Sequence, residues 1–422
     1  MLILHEVRTE DTISSIAKQY NIPIQRLLQE NELSIESELS IGEIITITSP
    51  TETYRVKNGD TLSDIALAHE VTVMELLRNN PFLAVREQLM IGEELVIRYD
   101  NKDKKIRVNG MTFSFIDPQV LTKTLPYLTY ITVMGCKVDA NGNLTDVKPN
   151  NIVQTAIEYG VVPLMLVSTL DEFGHGSYEI SHKLFNDPEM QKRLVDNILV
   201  RLETKGYHGA VFGFQFVLEE DLSNYMNFIE YATNRLHDEG YLSWEVLIPT
   251  VFGEQSGISQ VNQSIDGIIL LSYQWATGYI PNEYQTTYSY IKEYLDAVLA
   301  VVSAEKIYLG LTRIAYDWEL PYVEGESFVS SLTNPRAVEL AVEYGSEISF
   351  DEANKISYFR YKTQETEHVV WFKDIRYTNA ILDLVNEYGL GGISVWNIMY
   401  FSGIWIALNS QYDVEKLLPT NI

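Results

Sequence analysis

The chain has 422 residues, 46% of them apolar, and carries 31 basic against 58 acidic side chains for a net charge of -27. A surface of that sign repels phosphate backbones and anionic lipid heads, which excludes nucleic acid and membrane surfaces as natural partners and leaves neutral glycans open. The single cysteine, Cys136, rules out an intramolecular disulfide, and no run of about 18 apolar residues offers a membrane span.

The opening "MLILHEVRTEDT" has neither a basic n-region nor a long apolar stretch, so the expectation is synthesis in the cytoplasm without a secretory signal. The first hundred residues repeat. "HEVRTEDTISSIAKQYNIPIQRLLQEN" matches "YRVKNGDTLSDIALAHEVTVMELLRNN" at an offset of 49, and "LSIGEIITI" matches "LMIGEELVI" at an offset of 50. Each copy reads as strand, helix, helix, strand. An Asp-Thr pair opens the first helix, apolar residues then recur at helical spacing, and Gly42 and Gly92 turn the chain into the closing strand.

"YDNKDKKIR" reads as a short polar linker. Beyond it, apolar strand-like runs alternate with amphipathic helical runs. The expected strands are "MTFSFI", "LTYITVM", "VVPLMLVS", "GAVFGFQF", "LSWEVLIP", "DGIILLSYQW", "KIYLGLTRIA" and "GGISVW". Eight buried strands separated mostly by helices predict an α/β fold of the TIM (β/α)8 type, a closed parallel barrel with an outer helical layer. "ISYFRYKTQETEHVVWFKD" breaks the alternation and predicts an inserted β-hairpin walling a cleft. The expected division is 1–49, 52–99 and 104–422, with the insertion at about 320–376.

Ligand-facing residues of such barrels sit at the C-terminal strand ends. Those ends hold Gly213 and Gln215 on the fourth strand, Tyr273, Gln274 and Trp275 on the sixth, and Trp396 on the eighth. Aromatics and amides suit a sugar face and its hydroxyls. The seven histidines are scattered, His175 and His182 read as loop and surface residues rather than a zinc pair, and neither a metal nor another cofactor is expected.

The two front copies resemble LysM modules, most specifically in "VKNGDTLSDIA". That resemblance implies binding of N-acetylglucosamine-containing glycans such as peptidoglycan or chitin, in a groove between the first strand–helix loop and the loop before the last strand. In the second copy it implies Gly59, Asp60, Thr61 and Leu62 facing Leu89, Met90 and Ile91. The first copy has Glu10 where the second has Gly59, and a glycine lets a ligand approach the backbone more closely.

The long C-terminal part resembles glycoside hydrolase family 18, in the branch of spore-associated N-acetylglucosaminidases with two LysM modules. "NDPEMQKRLVDNILVRLETKGYHG", "KIYLGLTRIAYDWELPYVEGE" and "HVVWFKDIRYTNAILDLVNEYGLGGISVW" carry the resemblance. The family's fourth-strand signature, D-x-x-D-x-D-x-E, falls here on His208, Val211, Gly213 and Gln215, and its sixth-strand Tyr-Asp falls on Tyr273 and Gln274. In that family the substrate's own acetamide attacks the anomeric carbon, and a glutamic acid protonates the leaving oxygen. An amide has no proton to give, so Gln215 implies a silent site. Several positions have changed together, which points to a natural loss rather than a single engineered substitution.

The expectation is therefore a glycan-binding, catalytically inactive chitinase-like protein. In its barrel Gln215, Tyr273, Trp275 and Trp396 contact sugar, and it resides at a bacterial spore or cell-wall layer. Two other readings stand beside it. One is an active N-acetylglucosaminidase with a displaced acid drawn from Glu219, Glu220 or Asp221, against the simpler view that these acids start a helix. The other is a structural spore-coat protein. The family matches Asp317 as a structural residue.

Overall fold

The computed structural model describes residues 2–86, 88–99, 104–145, 151–170, 176–214, 216–247, 264–271, 288–323, 327, 329–364 and 366–420. The sequence repeat appears as two copies of one βααβ unit. The first runs through Leu2–Glu6, Ile13–Gln19, Ile24–Asn31 and Ile44–Thr48, the second through Pro50–Arg55, Leu62–Ala68, Val73–Asn79 and Glu94–Tyr99, and each pairs its two strands antiparallel. Thr12 and Thr61 are the N-caps of the first helices, each accepting the N–H three residues on.

The asparagine that closes each second helical run has a specific task. Asn80 Nδ2 donates to Leu76 O (3.0 Å) and Val96 O (2.7 Å), while its Oδ1 accepts Val96 N–H (2.8 Å). Asn31 does the same with Leu27 O, Thr46 O and Thr46 N–H. One amide thus staples the helix end to the closing strand in both copies. Asn80→Ala strands a buried strand carbonyl and amide, so it is expected to lower stability by about 1–3 kcal/mol, read by urea unfolding.

Eight strands follow, Lys105–Phe113, Tyr130–Lys137, Val162–Ser168, Gly209–Phe212, Leu242–Leu247, Gly267–Leu270, Ile307–Thr312 and Gly392–Trp396. Each pairs parallel with the next, and the last pairs parallel with the first from Gly392↔Arg107 to Trp396↔Met111, which closes the barrel. Alternate residues point inward, where Met111, Tyr130, Leu164, Leu166, Val211, Trp244, Val246, Ile269, Leu271 and Tyr308 form the interior core.

The first barrel strand corrects the sequence reading, which began it at Met111. It starts at Lys105, inside the segment taken for a linker. The inward-facing polar residues Arg107 and Asn109 hid it. Arg107 pairs with Glu415 (2.6 Å), and Asn109 bridges Ser394 and Thr132. The second βααβ unit packs directly on the barrel, with Met74, Leu76, Leu77 and Leu83 in one apolar cluster with Ile106, Leu125, Tyr127 and Leu128. Arg78 donates to Val414 O (2.9 Å) across the same junction.

The expected hairpin is present as Ile356–Lys362 and Glu367–Phe372, within a larger insertion. A five-stranded antiparallel sheet also includes Ile314–Leu320, Val329–Thr333 and Ser349–Asp351, and the helix Asn334–Glu343 packs on it. The sequence reading missed the start because only Arg313 separates Ile314 from the seventh barrel strand, so "KIYLGLTRIA" reads as one run. Asp317 anchors this sheet, accepting from Tyr361 OH (2.6 Å) beside His368 Nδ1 (3.1 Å).

Candidate functional site

The fourth strand decides what the barrel mouth can do. Val211 is fully buried in the interior core. At Gly213 a β-carbon would lie 3.0 Å from Leu166 Cδ1, which would have to give by a few tenths of an ångström, and 3.7 Å from Val246 Cγ2, an ordinary contact, so its described neighbours are aliphatic. His208 precedes the strand, at the opposite end from Gly213. Its N–H donates to Pro163 O (2.8 Å), and its buried Nδ1 has no partner. Burial pushes its pKa down. Among the described residues, the inward positions of the eight strands carry no carboxylate. Glu245, the buried acid of the fifth strand, faces the outer helices and accepts from Tyr225 OH. Gln215, Tyr273, Gln274 and Trp275 lie outside the described residues.

Trp396 ends the eighth strand half-buried against the interior core. Its ring meets Phe113 edge-on at 6.1 Å, and Phe113 stacks on Phe115 at 5.3 Å. Phe115 is 65% exposed, so the three rings run from the barrel mouth to solvent. Sequence reasoning placed both phenylalanines inside the first strand, which it carried on to Ile116, and so did not count them among the strand-end residues. With the strand ending at Phe113, its C-terminal end becomes the expected ligand-facing position.

The acidic turn after the fourth strand is held elsewhere. Asp221 is 2% exposed, its Oδ2 lies 2.8 Å from His182 Nδ1, and Oδ1 accepts Asn186 Nδ2 at 2.7 Å. His182 is thus a helical residue clamping the helix Tyr178–Asn186 to this turn, not a loop residue, while His175 lies outside the described residues. Glu220 completes a group whose ligand atoms lie within 4.8 Å of one another. Its own side chain is 73% exposed, and the Asp221 oxygens are already taken up by His182 and Asn186.

In the second βααβ unit, two candidate side chains serve the loop itself. Asp60 accepts Lys57 N–H (2.7 Å) and Tyr54 OH (2.8 Å), and the Lys57 N–H holds its carboxyl below the usual range. Thr61 caps the helix through Asp64 N–H (3.1 Å). Leu62 and Leu89 are half-buried against the core. Gly59 has open space around it at φ 89°, while Met90 and Ile91 are exposed. Gly92 N–H to Val56 O (2.8 Å) ties the two loops side by side. Among the described residues no helix is long and apolar enough to cross a membrane.

Comparison with known proteins agrees with this architecture. The family model for glycosyl hydrolases family 18 matches residues 174–400, and the LysM domain model matches 5–48 and 54–98. The chain is 27% identical over 307 residues to the cortical fragment-lytic enzyme of Bacillus subtilis (strain 168), covering 71% of each chain. It is 25% identical over 436 residues to the enzyme of that name from Bacillus anthracis, covering 99% of this chain and all of the relative. The crystal structure of the spore cortex-lytic enzyme SleL from Bacillus megaterium QM B1551 superposes with a TM-score of 0.79 at 26% identity, covering 98% of this chain and 99% of that one. With the family model spanning more than half of a chain whose barrel closes as described, this protein belongs to glycosyl hydrolases family 18 and carries two LysM domains in front of its barrel.

Proposed function

We propose that this protein recognises N-acetylglucosamine-containing glycan of the spore cortex or cell wall and does not hydrolyse it. The observation that carries the reading is the apolar filling of the fourth-strand floor. Among the described residues, the neighbours of Gly213, where the family's orienting aspartate would stand, are the aliphatic Leu166 and Val246, and Val211 is part of the core. Protonating a leaving oxygen needs a carboxylic acid of raised pKa, and Gln215 has no titratable proton. The displaced-acid reading loses Asp221, whose carboxylate is buried against His182 and Asn186.

Recognition has its own support. Trp396, Phe113 and Phe115 offer apolar ring faces of the kind that pack on pyranose rings, and the LysM pair supplies glycan-binding modules. The relatives named as cortex-lytic enzymes support spore peptidoglycan as the glycan, and the acidic surface does not oppose a neutral sugar. Gln215, Tyr273 and Trp275 remain proposed sugar contacts.

The test is binding and turnover of N-acetylglucosamine oligomers and cortex fragments by the full chain. Oligomer binding without release of new reducing ends is expected, and Trp396→Ala should weaken it about tenfold. Robust release that Glu219→Gln or Glu220→Gln abolishes would overturn the reading in favour of a displaced acid. Absence of any glycan binding would favour a structural coat role.

A further inference from the structure

The two LysM domains form an internal comparison. Their rear loops share one backbone plan. Gly42 N–H donates to Val7 O as Gly92 N–H does to Val56 O, and Glu43 accepts Ser40 N–H as Glu93 accepts Met90 N–H. Both glycines have the same left-handed conformation, φ 83° and 86°. Their surroundings differ. A β-carbon on Gly92 would meet nothing within 4 Å, whereas one on Gly42 would lie 1.9 Å from Ile348 O.

Ile348 belongs to the core of the inserted sheet and its helix. Its N–H donates to Ile41 O (2.8 Å), and Ser40 Oγ donates to Ser346 O (2.8 Å). Ser40 is consequently 5% exposed where its counterpart Met90 is 53% exposed, and Ile41 is 39% exposed against 71% for Ile91. Two further contacts brace the same module. Glu6 lies 3.7 Å from Arg376, and the Gly403 backbone approaches Glu30 O closely enough that a β-carbon there would sit 2.7 Å away. On the front loop, Glu10 adopts at φ 74° the conformation Gly59 has at 89°, so a charged side chain stands where the second copy is open.

We propose that the first LysM domain is an intramolecular strut. Its rear loop, the wall that the second domain offers to glycan, is docked on the inserted sheet. The full chain therefore presents one open LysM groove, that of the second domain, and the inserted wall of the barrel is held in place by the first. The assignment of the open groove rests on the glycan reading above. The docking itself rests only on the contacts between Ser40–Gly42 and Ser346–Ile348. Backbone-to-backbone complementarity of this kind leaves the loop's polar groups satisfied without a ligand.

The experiment uses the full chain in two arms. In the first, retention on insoluble peptidoglycan falls about tenfold for Ile91→Glu and is unchanged for Ile41→Glu. In the second, hydrogen exchange is followed at the Ile348 amide. It is slow in the parent chain, faster in Gly42→Ala and unchanged in Gly92→Ala, since both substitutions carry the same backbone strain and only one meets a neighbour. Ser40→Ala, which removes just the bond to Ser346, shifts exchange in the same direction with the glycine intact. Protection of the Ile44–Thr48 strand reports that the first domain is still folded. Equal loss of retention for Ile41→Glu and Ile91→Glu would overturn the strut. So would Ile348 exchange that ignores both Gly42→Ala and Ser40→Ala. A parent chain that is not retained at all sinks the glycan reading instead, and the exchange arm then decides the docking by itself.

Discussion

Gln215→Glu, made alone, is expected to leave hydrolysis of N-acetylglucosamine oligomers undetectable. Restoring the acid returns a group worth ~10²–10⁴-fold at best, and only if the acetamide is oriented and the developing charge is shared. On the proposed placement of the family's signature, Gly213 and Gln274 stand where the residues that would do so belong. Adding Gly213→Asp is not a simple repair. The new side chain meets Leu166 Cδ1 at 3.0 Å from its β-carbon, an overpacking that costs about 1–3 kcal/mol. Among the described residues the neighbours of that β-carbon, Leu166 and Val246, are aliphatic and offer the new carboxylate no hydrogen bond. Turnover is therefore expected only when Gly213→Asp, Gln215→Glu and Gln274→Asp are combined with Leu166→Ala to open the floor. Reducing-end release over hours of incubation measures this. Turnover by the single Gln215→Glu variant would show that the apolar floor is no obstacle.

Glu245→Gln is expected to stabilise the protein above neutral pH. Glu245 is fully buried between the fifth strand and the helix Leu222–Asp238, where desolvation pushes its pKa up to about 7 although Tyr225 OH donates to it. The folded state thus holds a proton that the unfolded chain, with its ordinary carboxyl of 4.5, releases earlier. Between those values stability falls as pH rises, and the loss is complete above about 7. For a shift of this size it amounts to about 3 kcal/mol. Glutamine keeps the acceptor for Tyr225 and cannot ionise. The variant should match the parent near pH 5 and exceed it near pH 8 by up to about 3 kcal/mol in urea unfolding. Glu30, also pushed up to about 7 by burial, leaves a similar slope in both proteins, so the difference between them isolates Glu245. Identical pH profiles would mean that Glu245 ionises freely in the folded state.

Much of the fold was legible from local pattern. The βααβ repeat follows from residues recurring at a fixed offset, and Asn31 and Asn80, conspicuous in that repeat, turn out to close each unit. All eight barrel strands announce themselves at least in part as apolar runs because both faces of a parallel barrel strand are buried. Only the first half of the first strand hid, behind Arg107 and Asn109, whose partners Glu415 and Ser394 lie hundreds of residues away. Phe113 and Phe115 were passed over because the strand was read on to Ile116, past its end at Phe113.

By itself the sequence determined the family and the LysM pair, and it motivated the proposal that the catalytic acids are absent, because each is a matter of residue type at a given spacing. Only the tertiary structure decided that Leu166 and Val246 neighbour Gly213, and that Asp221 faces His182. It also decided that one LysM rear loop is open while its twin is closed. Ser40 and Ser346 are 306 positions apart, and nothing in the periodicity around either residue encodes their meeting. Such contacts arise from how completed elements pack, and two loops of nearly the same local sequence and backbone can therefore end in different surroundings.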